Sequence, residues 1–227
     1  MIAIIGATDF EMSKVLPSIE LERKEIIGGY EFYIGKLFQK ETVAVKCGIG
    51  KVFAAVCCQT LLLNFQVDTI INIGAAGGLV EGLSMGDVVL CDSAVQYDMD
   101  TTAFGDPLGL ISGINKVMFD IHICDGFKET LRDKKIHTII GHNATADMFC
   151  TKPEVKIMLK EHFGCSCVDM EAAALAQVCY INNRNFESIK IISDGANDNS
   201  GEDYNKYTGT VGDRVMEILE IRYSLEQ

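Results

Sequence analysis

The stretch Thr69-Ile70-Ile71-Asn72-Ile73-Gly74-Ala75-Ala76-Gly77-Gly78 decides the fold. Its first five residues are β-branched or apolar except Asn72, and glycine ends the run. A short apolar run bounded by glycine reads as a buried strand. The tail of three glycines and two alanines leaves the backbone bare. That suits close approach of a ligand, or close packing of chain on chain; the segment alone favours neither. A long apolar, helix-like run over 51–65 precedes the strand. Helix and buried strand in succession are the repeating unit of a mostly parallel sheet covered on both faces.

The alternation continues in both directions. Residues 1–5 read as a short apolar strand before Gly6-Ala7, and 10–21 as helix-like with a break at Pro17. Residues 29–35 and 42–46 alternate like antiparallel, half-exposed strands. A strand is expected over 86–95, then a polar, glycine-rich connection over 98–113. Further strands fall at 137–140, 167–168 and 188–192, with helices at 153–162, 170–182 and 211–224. No repeat or linker interrupts the chain, so the expectation is one domain over 1–227 and a three-layer α/β/α fold around a mixed, mostly parallel sheet.

Composition narrows the partners. Of 227 residues, 48% are hydrophobic and 23% charged, as in an ordinary globular protein. A net charge of −12 argues against nucleic acid or an anionic membrane as the main partner, because polyphosphate needs a basic surface. A small molecule is the better expectation. The nine cysteines include the neighbours Cys57-Cys58 and the tight Cys165-Ser166-Cys167, neither a metal nor a redox spacing. Several lie in apolar runs, where a thiol acts as a small hydrophobe, and a reducing cytoplasm fits them. The first residues lack a signal-peptide pattern, and no apolar run reaches spanning length.

In open α/β sheets, ligands sit beyond the carboxyl ends of strands. Four such ends carry informative residues. After Gly6-Ala7, Glu11 falls in a first helical turn, either as a solvated helix-start acid or as a base held at a strand end. Cys47-Gly48-Ile49-Gly50-Lys51 lacks the Walker spacing but suits a ligand-facing turn. The Gly74–Gly78 tail is the third. At Ser193-Asp194-Gly195, the aspartate either caps a turn or projects into the crevice as an acid.

These segments, with Thr102-Ala103-Phe104-Gly105 and Val168-Asp169-Met170-Glu171-Ala172, occur in an order that resembles the 5′-methylthioadenosine/S-adenosylhomocysteine nucleosidase family, within the nucleoside phosphorylase/hydrolase superfamily. The resemblance runs from residue 2 to the C-terminal helix. It implies a cytoplasmic homodimer that hydrolyses the N-glycosidic bond of 5′-substituted adenosines, in methionine salvage, with no cofactor or metal. It gives Glu11 the activation of water, Asp194 the purine N7 and Glu171 the ribose hydroxyls, with the Met170 backbone beside it. Phe149 would stack on adenine, Cys150 meet its edge through the main chain, and Gly77 offer an amide. Ile49 and Tyr204 would line the pocket, and Phe104 would reach the neighbouring subunit's site. The connection 102–113 and the segment 197–207 would shape the 5′ pocket.

Two positions depart from the pattern. Ala75 stands where serine is usual, so a hydroxyl contact is missing. Lys190 stands where arginine is usual, and lysine lacks the bidentate fork of a guanidinium. Asp169 reads as structural, a helix-start acid. Two alternatives stand beside hydrolysis: a phosphorylase, which needs basic groups around phosphate, and a catalytically weak binder of adenine nucleosides.

Overall fold

The computed structural model describes residues 1–196 and 200–226. In chain order, β1 (Ile2–Gly6) leads to the short helices α1 (Asp9–Met12) and α2 (Val15–Ser18), then to β2 (Glu20–Ile27), β3 (Tyr30–Leu37) and β4 (Lys40–Lys46). Helix α3 (Lys51–Asn64) precedes β5 (Thr69–Gly78) and β6 (Val88–Gln96). A 3-10 turn over Thr102–Phe104 follows, then β7 (Met118–Asp120), α4 (Phe127–Asp133), β8 (Thr138–Thr145), α5 (Pro153–Phe163), β9 (Cys165–Asp169), α6 (Ala172–Ile181), β10 (Asn185–Asp194) and α7 (Ser200–Ser224).

All ten strands join one mixed sheet. Parallel pairings run β4–β1–β5–β10 and β6–β8–β9, whereas β2, β3 and β7 attach antiparallel at the flanks. The sheet also closes on itself: β10 pairs with both β5 and β6, and β5 pairs with β9 at Gly77–Val168 and Gly78–Cys167. The bare glycine tail of β5 permits that last, close pairing. Closure gathers the carboxyl ends of β5, β9 and β10 around one opening.

Side chains of the central strands alternate between faces, as the strand period requires. Ile4, Ile71, Ile73, Ile189 and Ile191 face one apolar cluster with Val211, Val215 and Ile218 of α7. Ala3, Ile5, Ile70 and Ile192 face another with Ala54, Cys58 and Leu61 of α3 and Ala173 and Ala176 of α6. Helices therefore cover both faces, giving the three layers expected. A buried bidentate pair, Arg222 to Glu187 at 2.6 and 2.7 Å, ties α7 to β10. All nine cysteines are free thiols, and all but Cys124 are buried.

Several elements differ from the sequence expectation; β7 and α4 fall where no element was expected. The helix expected over 10–21 is two four-residue helices. The break falls at Ser13-Lys14 rather than at Pro17, which lies within α2 and cannot donate to the Ser13 carbonyl as a continuous helix requires. Strand β2 was not expected: its sequence ELERKEII is charged and mostly exposed, as on a sheet edge. Helix α7 starts at Ser200 rather than 211, since its first half is polar and carries no apolar period.

Candidate active site

The strand ends enclose a cavity of about 310 Å³. Ala75, Ala76 and Gly77 of β5 line it, as do four acidic residues, Glu11, Asp169, Glu171 and Asp194. All four are buried.

Glu11 is placed by α1. Thr8 caps that helix, its hydroxyl accepting from the Glu11 amide at 3.3 Å, while Glu11 Oε2 accepts from the Thr8 and Ala7 amides at 2.9 and 2.7 Å. This is a capping box, legible as Thr8-x-x-Glu11 in the sequence but not read there. Glu11 Oε1 accepts from the Ala75 amide at 2.8 Å, joining the helix start to the end of β5. A Cβ at Gly74 would collide with the Glu11 carboxylate, so the bare backbone of β5 makes room for an acid. The bare segment thus serves two ends: Gly77 and Gly78 pair closely with β9, and Gly74 admits a side chain into the crevice.

Glu171 precedes α6, and its Oε1 accepts from the Gly50 amide at 2.8 Å. Gly50 holds φ at +101°, a left-handed conformation that glycine allows, and so aims its amide at the carboxylate. Burial pushes the Glu171 carboxyl up to about 8, with the neighbouring Asp169 charge adding to the rise. Asp194 ends β10. Its Oδ1 accepts from the Ala196 amide and its Oδ2 from the Ser193 hydroxyl, both at 2.8 Å.

Asp169 does more than start a helix. Oδ2 accepts from the Ala172 amide of α6 and from Lys190 Nζ, both at 2.8 Å. Oδ1 accepts from Asn143 Nδ2 at 2.7 Å and Thr145 Oγ1 at 2.5 Å. Burial alone would raise this carboxyl, but Lys190 and the side-chain donors outweigh it and hold it below the usual carboxylate range. Burial would likewise lower Lys190, and the Asp169 charge instead holds the ammonium above lysine's ordinary value.

Aromatic and apolar groups form the remaining wall. Phe149 meets the Tyr204 ring edge-on, with centroids 5.8 Å apart, and burial pushes the Tyr204 phenol up to about 12. Ile49, Met148, Cys150 and Met170 complete the lining. No group of three or more His, Cys, Asp or Glu suited to a metal occurs among the described residues. Nor does any described lining residue carry a positive charge.

A family model described as the phosphorylase superfamily matches residues 1–220. A 5′-methylthioadenosine/S-adenosylhomocysteine nucleosidase of Oceanobacillus iheyensis is 34% identical over 221 residues, 96% of each chain. One of Shewanella loihica is 35% identical over 214 residues, 93% of each chain. The chain belongs to the 5′-methylthioadenosine/S-adenosylhomocysteine nucleosidase family. Among solved structures, the Neisseria meningitidis nucleosidase in complex with methylthio-immucillin-A is similar at a TM-score of 0.92, with 30% identity and 98% of both chains covered. The futalosine hydrolase of Helicobacter pylori strain 26695 is similar at 0.91, with 26% identity, 98% of this chain and 97% of that one.

In this nucleosidase-family chain, Glu11, Glu171, Asp194, Gly77, Phe149, Cys150, Met170, Ile49, Ala75 and Tyr204 line one cavity. Two expected residues do not. Lys190 is 1% exposed and lies behind the lining, with Nζ engaged by Asp169 and by Asn72 Oδ1 at 2.6 Å. Phe104, expected at a neighbouring subunit's site rather than this one, is 87% exposed and not part of this lining. Of the 197–207 segment, residues 197–199 lie outside the described residues. Thr8, Met148, Ser193 and Asp169 join the lining without having been read as site residues.

Proposed function

We propose that this chain hydrolyses the N-glycosidic bond of 5′-methylthioadenosine, S-adenosylhomocysteine and related 5′-substituted adenosines, releasing adenine. The observation that carries the reading is the convergence of Glu11, Glu171 and Asp194 on one small, largely apolar cavity. Departure of a purine leaves an oxocarbenium-like ribose, so an acid must assist the leaving group and a base must direct water. Asp194 hydrogen-bonds or protonates N7 as the C1′–N9 electron pair passes to the purine. Glu11 takes the proton of the water whose oxygen bonds to C1′. Glu171 accepts the ribose hydroxyls, and its charge gains value as positive charge grows on the sugar. Phe149 stacks on adenine, with Cys150 and Gly77 contributing main-chain contacts and Ile49, Met170, Ala75 and Tyr204 shaping the sugar and 5′ region. Lys190 reaches the site through Asp169.

Phosphorolysis is the second reading. The absence of lysine and arginine from the described lining favours water over phosphate, whose charge calls for cationic partners. Incubation with methylthioadenosine, with and without phosphate, separates the two. Equal adenine release in both conditions is expected; phosphate-dependent release overturns hydrolysis, and no release in either favours a binder.

The same proposal takes residues 1–227 as one domain that works as a homodimer. Exposed Phe104, Val52, Phe53 and Val56 supply apolar surface for a second copy, whose site Phe104 would complete. A reducing cytoplasm suits the free thiols, and a role in methionine salvage is consistent with the proposed substrates. No helix among the described residues is long and apolar enough to cross a membrane. Sedimentation of the wild type and of Phe104→Ala tests the dimer, with a monomeric wild type overturning it.

A further inference from the structure

One lysine beside the cavity has no part in the reaction as derived above. Lys156 sits on α5, the helix that follows Phe149 and Cys150, and its side chain turns back toward the strand ends. Its Nζ donates to the Gly78 carbonyl at 3.0 Å and to the Gly195 carbonyl at 2.5 Å. Gly78 is the last residue of β5, and Gly195 directly follows Asp194. One ammonium therefore ties three segments together: the helix behind the stacking aromatic, the floor of the cavity and the turn that carries the acid.

The turn has little slack. Asp194 lies opposite Gly77 in the β5–β10 ladder, just past an irregularity between Ile192 and Asp194. A Cβ at Gly77 would stand only 3.1 Å from both Asp194 Oδ1 and the Ala196 side chain. Asp194 Oδ1 is bound to the Ala196 amide, so a shift of the Gly195 peptide carries the carboxylate with it. The Gly195 carbonyl is the point at which Lys156 holds that peptide.

We infer that Lys156 is a positioning residue for leaving-group activation, holding the Asp194–Ala196 turn against the end of β5 and the helix behind Phe149. This rests on the role proposed for Asp194. Lys156 itself transfers no proton. It fixes where the Asp194 carboxyl meets the purine.

The test compares two leaving groups. Lys156→Met is assayed on methylthioadenosine, whose adenine leaves with proton assistance, and on 4-nitrophenyl 5-methylthioribofuranoside, whose nitrophenolate needs none. On methylthioadenosine kcat is expected to fall roughly ten- to a hundredfold with KM little changed, as for loss of a contact made only in the transition state. On the nitrophenyl substrate the rate should stay within about twofold of wild type. Lys156→Arg should restore part of the loss. Equal falls on both substrates, or no fall on methylthioadenosine, would overturn the inference. Should Lys156→Met fail to fold, Lys156→Gln, which keeps a neutral donor, carries the same comparison. In an Asp194→Asn background, measured in single turnover, Lys156→Met should cause no further loss; an undiminished loss there overturns action through Asp194. A wild type that releases no adenine from methylthioadenosine refutes the proposed reaction itself, an outcome distinct from these.

Discussion

Replacing Asp169 with asparagine should damage this protein more than any other single-atom change near the cavity. All four groups around the carboxylate are donors: Asn143, Thr145, the Ala172 amide and Lys190. Asparagine offers one acceptor oxygen and one NH₂. With its oxygen toward Asn143 and Thr145, its NH₂ faces the Ala172 amide and the Lys190 ammonium, and flipping the amide only exchanges the victims. Breaking a buried ion pair by removing one partner costs about 3–5 kcal/mol, because the remaining charge is stranded. Lys190 is 1% exposed and would keep only the Asn72 oxygen. Against a typical total of about 5–15 kcal/mol, such a loss is roughly a fifth or more of the stability. Lys190→Met should cost less, since Asp169 retains three donors. The double variant Asp169→Asn/Lys190→Met should be more stable than Asp169→Asn alone, because it removes the stranded cation. Urea denaturation of the four proteins at pH 7 reads these differences as midpoint shifts. A cost below about 1 kcal/mol for Asp169→Asn, or strict additivity in the double variant, would refute the account of a mutually dependent buried pair.

Other expectations concern the remaining carboxyls. Burial raises the Glu171 carboxyl to about 8 in the fold, so the folded state binds more protons than the unfolded one between the ordinary carboxyl range and that value. Its contribution therefore falls as pH rises from about 4.5 to about 8, and Glu171→Gln should gain stability over wild type at pH 8 to 9 but little at pH 5. Thermal melts across pH read this, and a parallel pair of profiles would count against it. Glu11→Gln and Asp194→Asn should each lower kcat on methylthioadenosine by roughly a hundredfold or more while circular dichroism stays unchanged; near-wild-type turnover in either variant would remove that residue from its role. Phe149→Ala should raise KM roughly tenfold or more by loss of stacking on adenine, and unchanged KM in steady-state assays would place the base elsewhere.

Legibility followed the range of the interactions. Glu11, Gly50, Gly77 and Asp194 stand at strand ends, where a few adjacent residues suffice to mark a turn and its ligand-facing side. Thr8 was equally local, and the capping-box spacing to Glu11 was the signal that could have found it. The Asp169 cluster was not local: Asn72, Asn143, Thr145, Asp169 and Lys190 come from four strands, β5, β8, β9 and β10. Nothing adjacent to Lys190 in the sequence says that its ammonium is spent on Asp169. Closure of the sheet was hidden for the same reason, because β10 pairs with β5 and β6 across long separations. Lys156 resembled any other charge on an amphipathic helix until its two carbonyl partners were in view.

The four carboxyl groups differ in how far the protein itself satisfies them, and that difference supports the roles proposed for them. Among the described residues Asp169 receives four donors, from Asn143, Thr145, Ala172 and Lys190, which leaves a ligand little to add. Glu11 receives three backbone amides, from Ala7, Thr8 and Ala75, which fix its orientation as a base must be fixed. Asp194 receives two, one of them a hydroxyl that can rotate as the carboxyl changes charge. Glu171 receives one, from Gly50, and it is the member whose carboxyl is driven up toward neutrality. A carboxyl that receives so few donors from the protein gains most from new ones. Ribose hydroxyls are such donors. In the proposed reaction the carboxylate they meet faces the carbon on which positive charge develops, so the group with the fewest donors from the protein is the one whose interaction would strengthen most toward the transition state.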